Sequence, residues 1–374
     1  MHRRITKKII SNPHKPDKAL LIIIFIILGL GLMILSSAST EISRERFDKP
    51  YYYLTHQLIY GIGIGLILFF ITQRIHYKVW KKLAVVMLAV SIVSLILVFV
   101  PGLGFGYGGA RRWINLGFTS IQPSEVIKLG FIIYLAAWLE NRKTEVKAFA
   151  QSTLPFLIIM GLIGALIIAQ PDIGTLGVIV MIGIIIFFLA GAKAGHIFLI
   201  VLGGLASFFT LVKVAPYRMN RLLSFLNPEL DPLGISYQIN QALLSIGSGG
   251  LFGLGLGHSR QKYNYLPSPA SDSIFAIAAE ELGFIGGVIL IILFLALILR
   301  SFKIAKHSPD RFAQLTAAGI ASWFAIQIFV NIGAITGLIP LTGITLPLIS
   351  YGASSMIISL AAAGILINIS KYTT

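Results

Sequence analysis

Asp272 is the one acidic residue in Tyr265-Leu-Pro-Ser-Pro-Ala-Ser-Asp272-Ser-Ile-Phe275, where a polar loop enters an apolar run that carries Glu280 and Glu281. Charge beside hydrocarbon is expensive, so a carboxylate placed there is by default a candidate for chemistry. Arg111, Arg112, Arg218 and Arg221 are planar, permanently charged donors that suit the oxygens of a diphosphate. Ordinary anchoring to lipid phosphates would use the same residue type. Glu125 and Lys128, three residues apart after Pro123, share one face of a helix. They either neutralise each other, or Glu125 holds Lys128 toward an outer cavity, where it orients Asp272.

The chain that must position these groups is strongly apolar. Of its 374 residues 56% are hydrophobic and 12% charged, and the mean hydropathy is +0.87. A soluble core cannot absorb that much apolar surface. A bilayer needs roughly 20 apolar residues per helix, and the long runs lack the period-2 alternation of a barrel strand. The fold class is therefore all-α, a polytopic membrane protein. Ten spans are expected: Ala19 to Ser37, Tyr53 to Thr72, Leu83 to Pro101, Ile121 to Leu139, Thr153 to Ala169, Ile173 to Gly191, His196 to Val214, Ile274 to Leu299, Phe312 to Thr336 and Tyr351 to Ile369. Residues 1–18 form a basic cytoplasmic tail, 19–374 a single transmembrane domain, and 215–273 a large extracytoplasmic loop before the eighth span.

Lys and Arg set the orientation. With both termini inside, inner segments hold 19 of them and outer loops 10, with Lys128 inside a span. The formal net charge of +16 is thus an orientation signal and an attraction to anionic lipid, not a nucleic-acid surface. The first span, followed by Ser36-Ser37-Ala38-Ser39, reads as an uncleaved anchor rather than a signal peptide. The absence of cysteine excludes disulfides and thiol ligation.

The 215–273 loop is too long for a passive connector. It holds Tyr217, Arg218 and Arg221, the turn formers Asn227-Pro228 and Asp231-Pro232-Leu-Gly234, and a series of glycines from Gly247 to Gly257. Those glycines either let backbone approach a ligand headgroup or pack re-entrant backbone against helices. A second outer feature, Gly108-Gly-Ala-Arg111-Arg112-Trp113-Ile-Asn115, leads into Gln122-Pro123-Ser124-Glu125. No histidine pair has ligand spacing, and no nucleotide or zinc-hydrolase motif is present. Asn331, Thr336, Gly337, Pro340, Thr342, Gly343 and Pro347 interrupt the last two spans, as expected where irregular backbone lines a cavity.

Taken together, Gly109-Ala-Arg-Arg-Trp-Ile-Asn115, Ile121-Gln-Pro-Ser-Glu-Val-Ile-Lys128, Gln170-Pro-Asp172-Ile-Gly-Thr175, Gly255-Leu-Gly-His-Ser-Arg-Gln261-Lys262, Tyr265-Leu-Pro267, Asp272, Ala279-Glu280-Glu281-Leu-Gly283 and Pro347-Leu-Ile-Ser350-Tyr-Gly352 resemble the SEDS family (shape, elongation, division and sporulation) over nearly the whole chain. The Ser-Arg-Gln-Lys run and the Tyr-Leu-Pro after it are more similar to its division members than to its elongation members.

The resemblance implies a peptidoglycan glycosyltransferase that polymerises lipid II at the outer face of the bacterial cytoplasmic membrane. Its partner would be a class B penicillin-binding protein, a transpeptidase, alongside other divisome or elongasome membrane proteins. Asp272 would be the catalytic base. Arg111, Arg112, Glu125, Lys128, Arg218, Arg221, Gln261, Lys262 and Ser350 would serve the substrate, with Asp172, Glu280 and Glu281 in support. A divalent cation, Mg²⁺ or Mn²⁺, is the one cofactor this chemistry would use, as Lewis acid. The chain departs from the family pattern at Ser268, where the family typically has Glu, at Ser273, where it has an aromatic residue, and at Ala353, where it has glycine. A lipid II flippase and a noncatalytic scaffold that activates the transpeptidase are the alternative functions. Asp272→Asn would leave a scaffold unaffected.

Overall fold

The computed structural model describes residues 13–107, 110–117, 119–142 and 145–373. Most of the basic tail (1–12), Gly108 and Gly109 of the second outer feature, and Lys143 of the inner basic loop lie outside the described residues. Every expected span is a helix: α1 (Lys18–Ala38), then the short α2 (Thr40–Phe47), and α3 (Tyr52–His56), which continues through a π-helical turn, Gln57–Gly63, into α4 (Ile64–Arg74). There follow α5 (Lys78–Leu97), α6 (Pro123–Leu139), α7 (Leu154–Ala169), α8 (Ile173–Leu189), α9 (Ala194–Val214), the outer helices α10 (Pro216–Leu226) and α11 (Tyr237–Ser248), and finally α12 (Ile274–Lys306), α13 (Arg311–Ile335) and α14 (Ala353–Ser370).

Eight helices among the described residues are long and apolar enough to cross a membrane. The other two expected spans, α6 and α8, have 17 residues each, about 26 Å at 1.5 Å per residue, the short end of the spanning range. Their starts were written in the sequence: Pro123 occupies the first turn of α6, and the Asp172 side chain caps the Thr175 N–H of α8 (3.3 Å). Asp17 and Asp310 cap α1 and α13 in the same way, at 2.9 Å each.

An even number of crossings brings the termini together. The His14 N–H donates to the Lys371 carbonyl (2.9 Å) and the Asp17 N–H to Ser370 Oγ (3.1 Å). α13 and α14 form the centre and are buried along nearly their whole length. In α9, by contrast, only Ile200 and Val212 are buried, so this helix stands off the bundle.

The end opposite the termini carries the irregular structure. Between α5 and α6 lies a small antiparallel sheet that the helical pattern does not predict, with strands β1 (Gly104–Tyr107), β2 (Ala110–Asn115) and β3 (Ser120–Ile121) in that order. The glycine series of the long loop packs against α12. A Cβ at Gly249 would strike the Ala279 carbonyl, and one at Gly253 the Glu281 carbonyl. α12 is broken at Gly283 (φ 71°). The carbonyls freed by this break are capped by the loop, since Leu254 and Gly255 donate to the Glu280 and Glu281 carbonyls at 3.0 Å each. Of the two readings of these glycines, close packing of re-entrant backbone is the one observed at Gly249 and Gly253.

Candidate functional site

Asp272 lies two residues before α12, next to its N-cap Ser273, and is partly buried. Its carboxylate accepts from Ser271 Oγ (3.1 Å, at Oδ1) and from Gln238 Nε2 of α11 (3.4 Å, at Oδ2). Its carbonyl accepts from Asn331 Nδ2 of α13 (2.8 Å), which also donates to the Ile344 carbonyl (2.7 Å). Burial pushes the Asp272 carboxyl above the usual carboxylate range. Its own backbone N–H, the Ser271 and Gln238 hydrogen bonds and the Arg221 charge oppose that shift without cancelling it. A carboxylate so placed is ionisable, oriented and more basic than one in water, which is what a general base requires.

Arg221 of α10 faces the same spot. A Cβ built at Gly343 would stand 3.9 Å from Asp272 Oδ2 and 4.0 Å from Arg221 Nη2. Arg221 is exposed and donates to the Leu341 carbonyl (3.2 Å). It also lines a cleft of about 900 Å³ enclosed by α7, α8, α9 and α10. One end of the cleft holds Arg112, Asp172, Arg218 and Arg221, the other Phe149 and Thr153, and the walls between are largely apolar. Asp272 does not line the cleft; Arg221 is the residue common to both.

The other expected site residues divide into those at this mouth and those that brace it. Arg112 donates to the Gln170 carbonyl (3.1 Å) and to that of Pro171, tying β2 to the α7–α8 turn. Arg218 donates to the Leu211 carbonyl (2.9 Å) and stacks on Tyr217, which holds the α9–α10 corner. Arg111 is exposed on β2. Asp172 caps α8 and accepts from Ser124 Oγ (3.3 Å). Glu280 accepts from Ser245 Oγ, Ser259 Oγ and the Arg260 N–H. Glu281 accepts from Ser37 Oγ (2.5 Å) and Lys262 Nζ (3.3 Å). These two glutamates and Lys262 therefore clamp the glycine loop and α1 to α12, away from the carboxylate. Gln261 is half-buried and its Oε1 has no hydrogen-bond partner.

Lys128 is 1% exposed. Its ammonium donates to Glu125 Oε1 and Gln327 Oε1, both at 2.8 Å, and lies 5.0 Å from the centre of the Trp323 ring. It is buried and lines no part of the cleft, which corrects the expectation of an outward-facing lysine: in a low-dielectric interior the ion pair closes on itself. Its link to Asp272 is indirect, through Gln327, which donates to the Thr345 carbonyl (2.9 Å), and through Asn331 on the same face of α13. The sequence gives no signal for Gln238 or Ser271, and it marks Asn331 and Gly343 only as interruptions of the last two spans. Trp323, Gln327 and Asn331 recur every four residues, a polar stripe on an apolar helix that was available in the sequence. Among the described residues no group of three or more His, Asp or Glu side chains could hold a metal ion.

Comparison with known proteins agrees with this architecture. The family model described as "Cell cycle protein", covering FtsW, RodA and SpoVE, matches residues 18–374. The chain is 44% identical over 358 residues to stage V sporulation protein E of Bacillus subtilis, covering 96% of this chain and 98% of that protein. It is 40% identical over 350 residues to "Probable peptidoglycan glycosyltransferase FtsW" of Coxiella burnetii, covering 93% and 94%. A solved structure described as "Structural coordination of polymerization and crosslinking by a peptidoglycan synthase complex" superposes with a TM-score of 0.78 at 30% identity, over 95% of this chain and 97% of that one. The rod shape determining protein RodA of Thermus thermophilus superposes with a TM-score of 0.70 at 30% identity, over 95% and 96%. The chain belongs to the FtsW, RodA and SpoVE family of cell cycle proteins.

Proposed function

We propose that this multi-pass protein of the bacterial cytoplasmic membrane is a peptidoglycan glycosyltransferase that polymerises lipid II into glycan strands, in septal wall synthesis. The observation that carries the reading is Arg221, which joins the Asp272 carboxylate to a long apolar cleft. A lipid-linked sugar diphosphate has the matching parts: a hydrocarbon tail, two phosphates, and a sugar whose bond to phosphate is to be broken.

In this mechanism the polyprenyl tail lies in the cleft and the diphosphate sits at its charged mouth, against Arg221, Arg218 and Arg112. Asp272 takes the proton of the acceptor sugar hydroxyl as its oxygen bonds to the anomeric carbon of the donor. The carbon–phosphate oxygen bond breaks, and the charge that develops on the diphosphate is stabilised by the arginines. Gln238, Ser271 and Asn331 fix the carboxylate so that no reorganisation is needed at that moment. A divalent cation fits here only as a shared guest. Mg²⁺ keeps most of its waters and is bound by one or two carboxylates plus phosphates, so Asp272 and the substrate would hold it, and it would supply Lewis acidity.

A class B transpeptidase is proposed as the partner, since the similar solved structure couples polymerisation to crosslinking. The test is lipid II polymerisation by the chain with that partner, crosslinking blocked, for wild type and Asp272→Asn. Strands from wild type and none from the folded variant are expected. Strands from both would move the base elsewhere. Strands from neither would favour the flippase or the scaffold.

A further inference from the structure

Gln57 is an amide in the second crossing that no motif singles out, yet it is fully buried (0% exposed). Burying an amide is unfavourable unless both of its ends are bonded. Both ends here are bonded to one turn: Nε2 donates to the Ser350 carbonyl (3.3 Å) and Oε1 accepts from the Gly352 N–H (3.1 Å). Gln57 opens the π-helical turn Gln57–Gly63, a device frequent at functional sites. Gly61 leaves the space it needs, because a Cβ there would lie 3.0 Å from Gln57 Cδ.

The turn that Gln57 holds is itself the grip on the catalytic loop. Ser350 Oγ donates to the Ser271 carbonyl (2.5 Å), and the Tyr351 N–H donates to the Ala270 carbonyl (2.8 Å). Ser271 Oγ in turn donates to Asp272 Oδ1. The Ser350 hydroxyl proton is committed to the Ser271 carbonyl and its oxygen also accepts from the Leu346 N–H (2.8 Å), so this serine braces the loop rather than donating to a ligand. On the other side Asn331 and Gln238 bind Asp272 itself. The carboxylate is held from two sides, and one of them ends at Gln57.

We propose that Gln57 is a positioning residue for Asp272, acting through the 350–352 turn without touching substrate. The inference rests on the glycosyltransferase reading for its kinetic consequence, but not for its physical link. A displacement of the order of 1 Å at a catalytic group costs up to about 100-fold in rate.

The test uses the full chain with its transpeptidase partner, comparing Gln57→Ala, Ser350→Ala and the double variant. Lipid II polymerisation and amide hydrogen exchange of residues 266–276 are both measured. Each single variant is expected to lower turnover by roughly 10- to 100-fold with KM for lipid II unchanged. The double should be no slower than the slower single, because both act through one path, and exchange in 266–276 should quicken in all three. Unchanged turnover, an effect on KM alone, multiplying losses, or unaltered exchange in 266–276 would each overturn it. Should Gln57→Ala fail to fold, Gln57→Met, which keeps the side-chain volume and loses both hydrogen bonds to the 350–352 turn, serves in its place. Wild type without strands would overturn the glycosyltransferase reading instead, and the exchange measurement would then decide the Gln57 link alone.

Discussion

Arg221 and Asp272 face each other across Gly343, close enough that one added methyl would touch both. The guanidinium lines the apolar cleft and the carboxylate belongs to the loop before α12, so in the proposed mechanism the gap between them is where a diphosphate and an acceptor hydroxyl meet. Gly343 keeps that gap open for two reasons. It has no side chain, and its φ of 74° is one that other residues adopt at a cost.

Gly343→Ala is therefore expected to act twice. The left-handed backbone makes it destabilising by about 1–2 kcal/mol, and the methyl, in van der Waals contact with both charged groups, fills the gap between them. Polymerisation should fall further than the loss of stability explains. Strand yield measured per folded molecule, well below the unfolding temperature, separates the two effects, and full yield there would show that the gap is not used.

The raised Asp272 carboxyl has consequences of opposite sign for activity and stability. Activity needs the ionised base, so the acid limb of kcat/KM should lie above the ordinary carboxylate range. Arg221→Gln removes a charge that holds the pKa down, so its limb should move to still higher pH. Stability runs the other way. The folded protein binds this proton more tightly than the unfolded chain, so the stability contributed is present at low pH and is lost as pH rises through the raised pKa. Asp272→Asn should accordingly unfold at a higher temperature than wild type at neutral pH. A lower one would mean that the carboxylate is a structural ion rather than a functional one.

Much of this was legible in the chain. The ten helices of the bundle, eight of them long and apolar enough to cross a membrane, were marked by apolar runs and by polar breaks such as Gln170-Pro171-Asp172, because in a bilayer composition alone nearly dictates the helix. The sheet between α5 and α6 was not, since strands as short as Ser120–Ile121 carry no period to detect. Asp272 stood out as charge at the edge of an apolar run. Gln238 and Gln57 did not, because an uncharged amide in a long sequence gives no signal until its partners, 34 and 293 residues away, are brought to it. Lys128 shows the converse. Its charge was conspicuous, but the side chain turned inward onto Gln327.

That inward turn gives the Glu125–Lys128 pair a thermodynamic signature. Breaking a buried pair by removing one partner leaves an uncompensated charge, typically about 3–5 kcal/mol. Lys128→Met and Glu125→Gln should each be strongly destabilising, and the double variant less so than the two losses combined. Thermal unfolding of the four proteins in one detergent measures the coupling. Independent, additive losses would mean that the ions are solvated separately.

Substitutions inside the cleft separate tail binding from chemistry. Gly177 of α8 and Gly204 of α9 line it, and neither has an atom within 4 Å of where a Cβ would stand. Gly177→Leu should therefore fill empty space without straining its helix, where leucine is the better helix former. A side chain in the path of a polyprenyl tail displaces buried methylenes, each worth ~0.8 kcal/mol. Two displaced methylenes would raise KM for long-chain lipid II roughly 10-fold, with kcat retained because Asp272 is untouched. A short-chain lipid II analogue, which does not reach that depth, should be used equally well by variant and wild type. If Gly177→Leu and Gly204→Leu both leave the long-chain KM unchanged, the tail lies elsewhere on the helix bundle and Arg221 must receive its diphosphate from another direction.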